Sequence, residues 1–148
     1  MRKVLILFLF TSSLVSIATA QSAKLLLRNP SISKTQIVFT YGGDIWSVSR
    51  DGGDARRLTS AVGSNNGPVF SPDGTKIAFT GTYAGNRDVY VIPAEGGQPK
   101  RLTYHPGDDD VVGWTPDSRR VVFRSSRASY YGFNGKLFTL GLEGGFPT

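Results

Sequence analysis

A unit of four short segments, repeated three times along the chain, restricts the possible folds more than any other feature of the sequence. The clearest copy covers residues 69–103. It contains a Ser-Pro-Asp-Gly turn, an alternating apolar run, a looser turn with Gly85 and Asn86, a second alternating run and a Gly-Gly turn. Alternating runs bounded by Gly, Pro, Asn and Asp are typical of short antiparallel strands. Each copy is therefore predicted to form four strands.

The copies recur at a nearly constant spacing. An earlier copy covers about residues 31–59, a later one begins near residue 111, and Phe39, Phe79 and Phe123 hold the same place in the three copies. Periods of about 40 to 45 residues with four strands each are typical of β-propeller blades. A β-helix needs a far shorter period, and a sandwich does not repeat side chains at fixed offsets. The sequence thus predicts an all-β fold of four-stranded antiparallel propeller blades.

The repeats also predict the domain organisation. A leader of residues 1–20 precedes a partial β-propeller of residues 21–148, whose blades cover about residues 25–60, 66–104 and 109–148. The chain stops where the fourth strand of the third copy is expected, which gives about two and three-quarter blades, and a closed propeller needs at least four. We therefore expect an incomplete ring, the front part of a longer protein.

One aromatic residue occupies the same place in the third strand of each copy, namely Trp46, Tyr90 and Phe138. Alternate side chains of a strand share one face of the sheet. These aromatic residues are therefore predicted to pack in the core between neighbouring sheets, and Phe39, Phe79 and Phe123 are predicted to be equivalent buried core residues of the second strands. In the first copy, residues 30–34 stand where the Ser-Pro-Asp-Gly turn stands in the second, and they are predicted to form a degenerate version of that turn.

Four aspartates occur at repeated positions, which favours a structural role over a catalytic one. Asp73 and Asp117 each follow a proline and suit the third position of a type I turn. Asp44 and Asp88 each precede an apolar-aromatic strand, and Lys136 stands there in the third copy. A catalytic carboxylate pair would not recur in every blade. A role in capping strands or bonding loops is therefore preferred.

The sequence gives little support for a catalytic or ligand-binding role at the other candidate residues. His105 is the single histidine, and nothing in the sequence selects the serine and carboxylate that a hydrolytic triad needs. Residues 108–110 are three aspartates, which could bind a hard cation through oxygen ligands, but a solvated loop is the favoured interpretation. The Gly-Gly pairs lack the lysine and the following helix of a phosphate-binding loop. No catalytic, cofactor-binding or metal-binding residue is therefore assigned, and no cofactor is expected.

Charge and cysteine content exclude further classes. The chain has 17 Lys and Arg against 11 Asp and Glu, and no cysteine. Basic pairs at 56–57, 100–101 and 119–120 are interpreted as matching repeat positions, so the positive charge is spread around the blades. A nucleic-acid surface needs clustered charge with stacking aromatics. The missing cysteines exclude a disulfide framework, a thiolate nucleophile and a Cys-based zinc site.

The first 20 residues have the pattern of a secretory signal peptide. A basic n-region at residues 2–3 precedes an apolar core at residues 4–10, and Ala-Thr-Ala at 18–20 fits the cleavage rule before Gln21. A membrane anchor is the alternative, but the strong apolar run is too short to span a bilayer comfortably. The expected location is the periplasm or the exterior of the cell, with no membrane span after cleavage.

The repeat phrases resemble those of known propellers. Residues 70–79 and 96–103 are similar to blades of TolB-type, WD-like propellers. The LLRNP, IVF, GDIW and ARRLT motifs within residues 25–59 resemble the first blade of the N-terminal propeller of tricorn protease homologues. Residues 122–127, 136–140 and 143–148 also look tricorn-like. The resemblance covers essentially the whole chain after the leader.

Two function classes follow from this resemblance. In the tricorn family the serine peptidase machinery lies far C-terminal to the propeller, so no catalytic residue carries over to this chain. The resemblance implies an exported serine protease whose propeller gates or guides peptides toward a distant active site. The alternative is a TolB-like periplasmic scaffold that docks protein partners. Expected partners are peptide or protein substrates of the full-length protein, without nucleic acid, and the resemblance leaves room for an oligomeric parent protein.

Overall fold

The computed structural model describes residues 26–60, 63–129 and 134–148. The predicted signal peptide lies outside these residues. The described segments form an all-β structure of three antiparallel sheets, as predicted. The first sheet contains β1 (Arg28–Ile32), β2 (Gln36–Tyr41), β3 (Asp44–Ser49) and β4 (Arg56–Arg57); the second contains β5 (Asn65–Phe70), β6 (Lys76–Gly81), β7 (Asp88–Pro93) and β8 (Lys100–Arg101); the third contains β9 (Asp109–Trp114), β10 (Arg120–Ser125) and β11 (Lys136–Gly141). No helix in the described residues is long and apolar enough to cross a membrane.

The last residue of the chain extends the third sheet. The backbone N–H of Thr139 donates to the carbonyl of Thr148 at 2.7 Å, and the N–H of Thr148 donates back at 3.0 Å. In the other two sheets the same position opposite the third strand is held by Arg56 and Lys100. Thr148 therefore pairs with the third strand at the position where the fourth strand begins in the other two sheets.

The first strands of the three sheets converge. β5 lies against β1 on one side and against β9 on the other. The Phe70 N–H donates to the Ser31 hydroxyl at 3.1 Å, and the Trp114 indole N–H donates to the Val69 carbonyl at 3.0 Å. Successive four-stranded sheets that fan out from neighbouring first strands have the geometry of propeller blades.

Two apolar cores hold the sheets together. Because side chains alternate along a strand, β6 and β7 send one set of residues toward the first sheet and the other set toward the third. The first core comprises Val38, Ile45, Leu58, Phe70, Ile77, Phe79, Tyr90, Ile92 and Ala94. The second comprises Ala78, Val89, Val91, Leu102, Val121, Phe123 and Leu140, with Phe138 and Trp114 packed against it.

The prediction for the three phenylalanines is confirmed. Phe39, Phe79 and Phe123 are buried, and they pair across the sheet with Trp46, Tyr90 and Phe138, respectively. The prediction for Trp46 is wrong in part. Its ring is only half-buried, because it lies on the face of the first sheet that points away from the second. The ring contacts that of Tyr41 edge-on, with 6.0 Å between the two centroids.

The predicted turn of the first copy is misplaced. Residues 30–32 belong to β1, and the turn begins only at Ser33, whose hydroxyl accepts the Gln36 N–H at 3.0 Å. Ser71 and Thr115 make the same bond to the N–H of Lys76 and Arg120. The first turn is two residues shorter than the others, which explains why alignment by sequence placed it too early.

The turn role of Asp73 and Asp117 is confirmed. Each carboxylate accepts a hydroxyl hydrogen bond of 2.6 Å from the first residue of its turn. These bonds, with one from a backbone N–H two residues on, lower the pKa of Asp73 to about 2 and lower that of Asp117. Both carboxylates thus stabilise the turns that connect the first and second strands.

The basic pairs are not all equivalent. Arg56 and Lys100 begin the fourth strands and form ion pairs with Glu95 and Glu143 of the following sheet, at 3.7 and 3.2 Å. Residues 119–120 instead lie at the end of a turn and the start of β10, so their predicted equivalence is wrong. Exposed pairs of this kind each contribute little to stability.

Candidate functional site

Two polar cavities open on what we call the hairpin face, formed by the turns between second and third strands at residues 42–43, 82–87 and 126–129. One cavity has a volume of about 270 Å³ and the other about 320 Å³, and Arg87 and Asp110 line both. The first is further lined by Asp108, Arg124, Ser125, Ser126 and Gly135. The second is further lined by Asn29, Ser64, Asn66, Gly67, Thr80, Thr82 and Val111.

A network of alternating charges forms the wall between the cavities. The Arg87 guanidinium lies 2.8 Å from Asp110 and 3.1 Å from Asp108. Arg124 reaches the second oxygen of Asp110 at 3.0 Å. Two arginines and two aspartates balance in charge, so the wall offers hydrogen-bond donors and acceptors without a net charge. Such a wall suits polar, uncharged groups such as a peptide backbone.

The interpretation of residues 108–110 as a solvated loop is wrong for its last two members. Asp109 and Asp110 belong to β9, and Asp109 is fully buried. The Asp108 carboxylate accepts the Arg87 N–H at 3.0 Å and ties the segment to the start of β7. In the described part of the chain, no group of three or more acidic or histidine side chains is arranged to hold a metal ion.

His105 has a local structural role. Its Nδ1 accepts the Gly107 N–H at 3.0 Å, and its carbonyl accepts the Asn86 side-chain amide at 2.8 Å. These bonds shape the loop that leads from β8 into β9.

A buried polar cluster, which we call the first junction, links the first and second sheets beside the cavities. The Thr59 hydroxyl donates to Asp44 at 2.9 Å, and the Asn65 amide donates to Thr59 at 3.1 Å and to the Gly43 carbonyl at 3.2 Å. On its other side the Asn65 carbonyl oxygen accepts the Tyr83 hydroxyl. Both ends of the Asn65 side chain are therefore satisfied.

An equivalent cluster, the second junction, links the second and third sheets. The Thr103 hydroxyl donates to Asp88 at 3.2 Å, and Arg101 lies 2.7 Å from the other Asp88 oxygen. Asp109 takes the place of Asn65 and binds Arg127 at 2.5 Å. Burial raises the pKa of Asp88, with the nearby Asp109 charge acting in the same direction. The predicted loop-bonding role of Asp44 and Asp88 is confirmed.

Three arginines at the site were not singled out from the sequence. Arg87, Arg124 and Arg127 bind the carboxylates of residues 108–110. They do not recur at matching positions, because Arg87 precedes β7 whereas Arg124 and Arg127 lie in and after β10. The available signal was an unpaired run of three aspartates in a basic chain, which requires cations nearby if the run is folded.

Sheets that repeat a four-strand pattern around converging first strands define a β-propeller. Residues 24–148 match the model of the tricorn protease N-terminal beta propeller domain, and the chain belongs to that family.

Individual relatives include a tricorn protease homolog and a TolB homolog. Tricorn protease homolog 1 of Streptomyces coelicolor is 43% identical over 67 residues, which is 45% of this chain and 6% of that protein. The Protein TolB homolog of Chlorobium luteolum is 44% identical over 52 residues, covering 35% of this chain and 12% of the relative. The chain thus spans only a small part of the length of these relatives.

Solved structures of a tricorn protease and of TolB superpose on this chain. The crystal structure of the tricorn protease superposes with a TM-score of 0.72 at 28% identity, covering 81% of this chain and 13% of that one. TolB from Acinetobacter baumannii superposes with a TM-score of 0.68 at 22% identity, covering 84% of this chain and 32% of the other. The second similarity is one of fold alone.

Proposed function

We propose that this chain is the N-terminal propeller portion of an exported tricorn-like serine protease and that it gates or guides peptide substrates. The observation that carries the proposal is the family match over residues 24–148. In this interpretation the chain supplies no catalytic residue, and hydrolysis takes place at a serine active site elsewhere in the protein.

The hairpin face supports a guiding role. Its charge-balanced wall, built by Arg87, Asp108, Asp110 and Arg124, presents both donors and acceptors toward two open cavities. Peptide backbones carry both kinds of group at every residue except proline. A wall of this type interacts with many sequences and favours none by charge, which suits passage better than tight binding.

The leader supports export to the periplasm or the exterior. If residues 1–20 act as a signal peptide, mass spectrometry of the exported protein should find Gln21 at its N-terminus. An intact leader in the membrane fraction would show an anchor instead.

The guiding role can be tested in the full-length protein by comparing a long peptide with a short reporter substrate. The Arg87→Ala variant should lower kcat/KM for the long peptide by about 10- to 150-fold, because a hydrogen bond to a charged group contributes about 1.5–3 kcal/mol. Cleavage of the short reporter should be unchanged. Arg119→Ala is the matched control, since Arg119 is exposed and lines neither of the two cavities of the hairpin face.

Two results would contradict the proposal. Equal effects of Arg87→Ala on both substrates would place Arg87 outside the substrate path. Absence of any cleavage that a serine-directed inhibitor blocks would remove the protease role itself.

The second candidate function is a TolB-like scaffold that docks protein partners. It is favoured by the 44% identity to the Protein TolB homolog over 52 residues. A stoichiometric complex with an envelope protein, together with no peptidase activity of the full-length protein, would select this function. In either case we expect no nucleic-acid partner.

A further inference from the structure

The two junctions have the same arrangement of residues, so the chemical differences between them are informative. Asn65 and Asp109 are the first residues of β5 and β9, and both are fully buried. Their backbone N–H groups donate to equivalent carbonyls, those of Gly43 and Arg87, at 2.8 and 2.9 Å. The two side chains therefore occupy the same place in successive blades.

One side-chain oxygen of Asn65 and one of Asp109 accept a hydrogen bond from residues at matching positions. Tyr83 and Arg127 both stand two residues after the end of a second strand. The Tyr83 hydroxyl donates to Asn65, and the Arg127 guanidinium donates to Asp109. Tyr83 packs on the ring of the third-strand aromatic, and Arg127 lies 5.5 Å from the centre of the equivalent Phe138 ring. A neutral pair in one junction is thus replaced by a charged pair in the next.

On the side that faces the preceding sheet, the hydrogen bonds of the first junction have no counterpart in the second junction. At the first, the Asn65 amide supplies hydrogens to Thr59, Asp44 and the Gly43 carbonyl. An ionised Asp109 has no hydrogen to supply to the equivalent groups. Within the described residues, Asp109 Oδ1 is buried without a hydrogen-bond partner. Asp88 Oδ2 is buried as well, and it is held by its ion pair with the Arg101 guanidinium at 2.7 Å.

We propose that the second junction binds one proton, shared by Asp88 and Asp109, which supplies the hydrogen bond that the Asn65 amide supplies in the first junction. The charged groups around this proton are Arg101 from β8 and Arg127 from the segment after β10. Two carboxylates, two arginines and one proton leave the cluster with a single positive charge.

Binding of this proton makes the junction sensitive to pH. The pKa of Asp88 is raised above its ordinary value of 3.8 by burial and by the Asp109 charge. A raised pKa means that the folded state binds more protons than the unfolded state above pH 3.8. The stabilisation is therefore complete below that pH and is lost as the pH rises through the folded pKa.

Loss of the proton should also affect the candidate site, because the second junction is connected to the rim of one of its cavities. Arg127 binds Asp109 and directly follows Ser126 in the chain. Ser126 lines the hairpin-face cavity of about 270 Å³. When both carboxylates are ionised, buried acceptors face one another without a donor, and the contact between the second and third sheets weakens. The rim of the cavity is then held less firmly at neutral pH than at mildly acidic pH.

The test uses the full-length protein and the Asp109→Asn variant, which recreates the first junction in the second. Thermal unfolding of the propeller should show a wild-type stability that falls from pH 4 toward neutrality relative to the variant. Infrared difference spectra across the same range should show a buried protonated carboxyl in the wild type and its loss in the variant. Identical pH profiles and identical carboxyl bands would overturn the proposal.

The reverse substitution gives a matched control. Asn65→Asp places a second carboxylate in the first junction, beside Asp44, and should add a proton-binding carboxyl there. If this variant folds and adds no protonated carboxyl band, the shared-proton mechanism is refuted for this geometry. If it does not fold, the comparison of Asp109→Asn with the wild type still decides the question.

Discussion

Truncation of Phe79 tests the central packing of the propeller. Phe79 lies on the second strand of the second sheet, is fully buried and packs against the first sheet. Its ring stacks on Tyr90 with 5.7 Å between centroids. Phe79→Ala should therefore destabilise the propeller by about 3–5 kcal/mol, the range for a buried phenylalanine whose cavity does not collapse. Up to about 1 kcal/mol of that loss comes from the aromatic contact.

The equivalent Phe39→Ala substitution is the control within the same chain. Phe39 occupies the same register position, but it lies on the face of the first sheet that points away from the second and is 8% exposed. Among the described residues it belongs to neither of the two intersheet cores. We expect a smaller loss for Phe39→Ala, about 1–2 kcal/mol, from reduced apolar burial without an intersheet cavity.

Urea unfolding followed by tryptophan fluorescence provides the assay. Trp46 and Trp114 lie in the first and third sheets and report on both sides of the second. Phe79→Ala should lower the midpoint without changing the slope of the transition. A loss below about 1 kcal/mol, or one equal to that of Phe39→Ala, would refute the assignment of Phe79 to a closely packed intersheet core.

The remaining predictions concern the turns. The pKa of Asp73 is about 2 in the folded protein against 3.8 ordinarily, so its contribution to stability is present above pH 3.8 and is lost as the pH falls toward 2; Asp73→Asn should flatten the melting temperature over that interval. Gly74 has φ of 75°, and Gly74→Ala should cost about 1–2 kcal/mol in urea unfolding because an L-residue is strained in this conformation. Ser118 holds the equivalent place with φ of 60°, and its hydroxyl accepts the Asp73 N–H. Ser118→Gly removes strain and this bond together, so its net effect should stay within about 1 kcal/mol.

The sequence by itself determined most of the strands, the turns between the first and second strands of the second and third copies, and the register of the aromatic residues. Alternation of apolar residues and turn chemistry act over a few neighbouring positions, so they can be recognised without a partner sheet. The pairs of Phe79 with Tyr90 and of Phe123 with Phe138 follow from this local information. The repeat then predicted the propeller, because each unit needs a neighbour to cover its apolar faces.

Only the tertiary structure decided which polar residues meet. Asp109 was predicted to be solvated, yet it is fully buried because β9 packs against the second sheet and Arg127 returns to it from beyond β10. Its equivalence to Asn65 is not visible in the sequence, since the connections before β5 and β9 differ in composition. Trp46 departs from its repeat partners because the face on which it lies points away from the second sheet. Burial and ionic pairing depend on surfaces brought together from distant parts of the chain, and no local pattern specifies them.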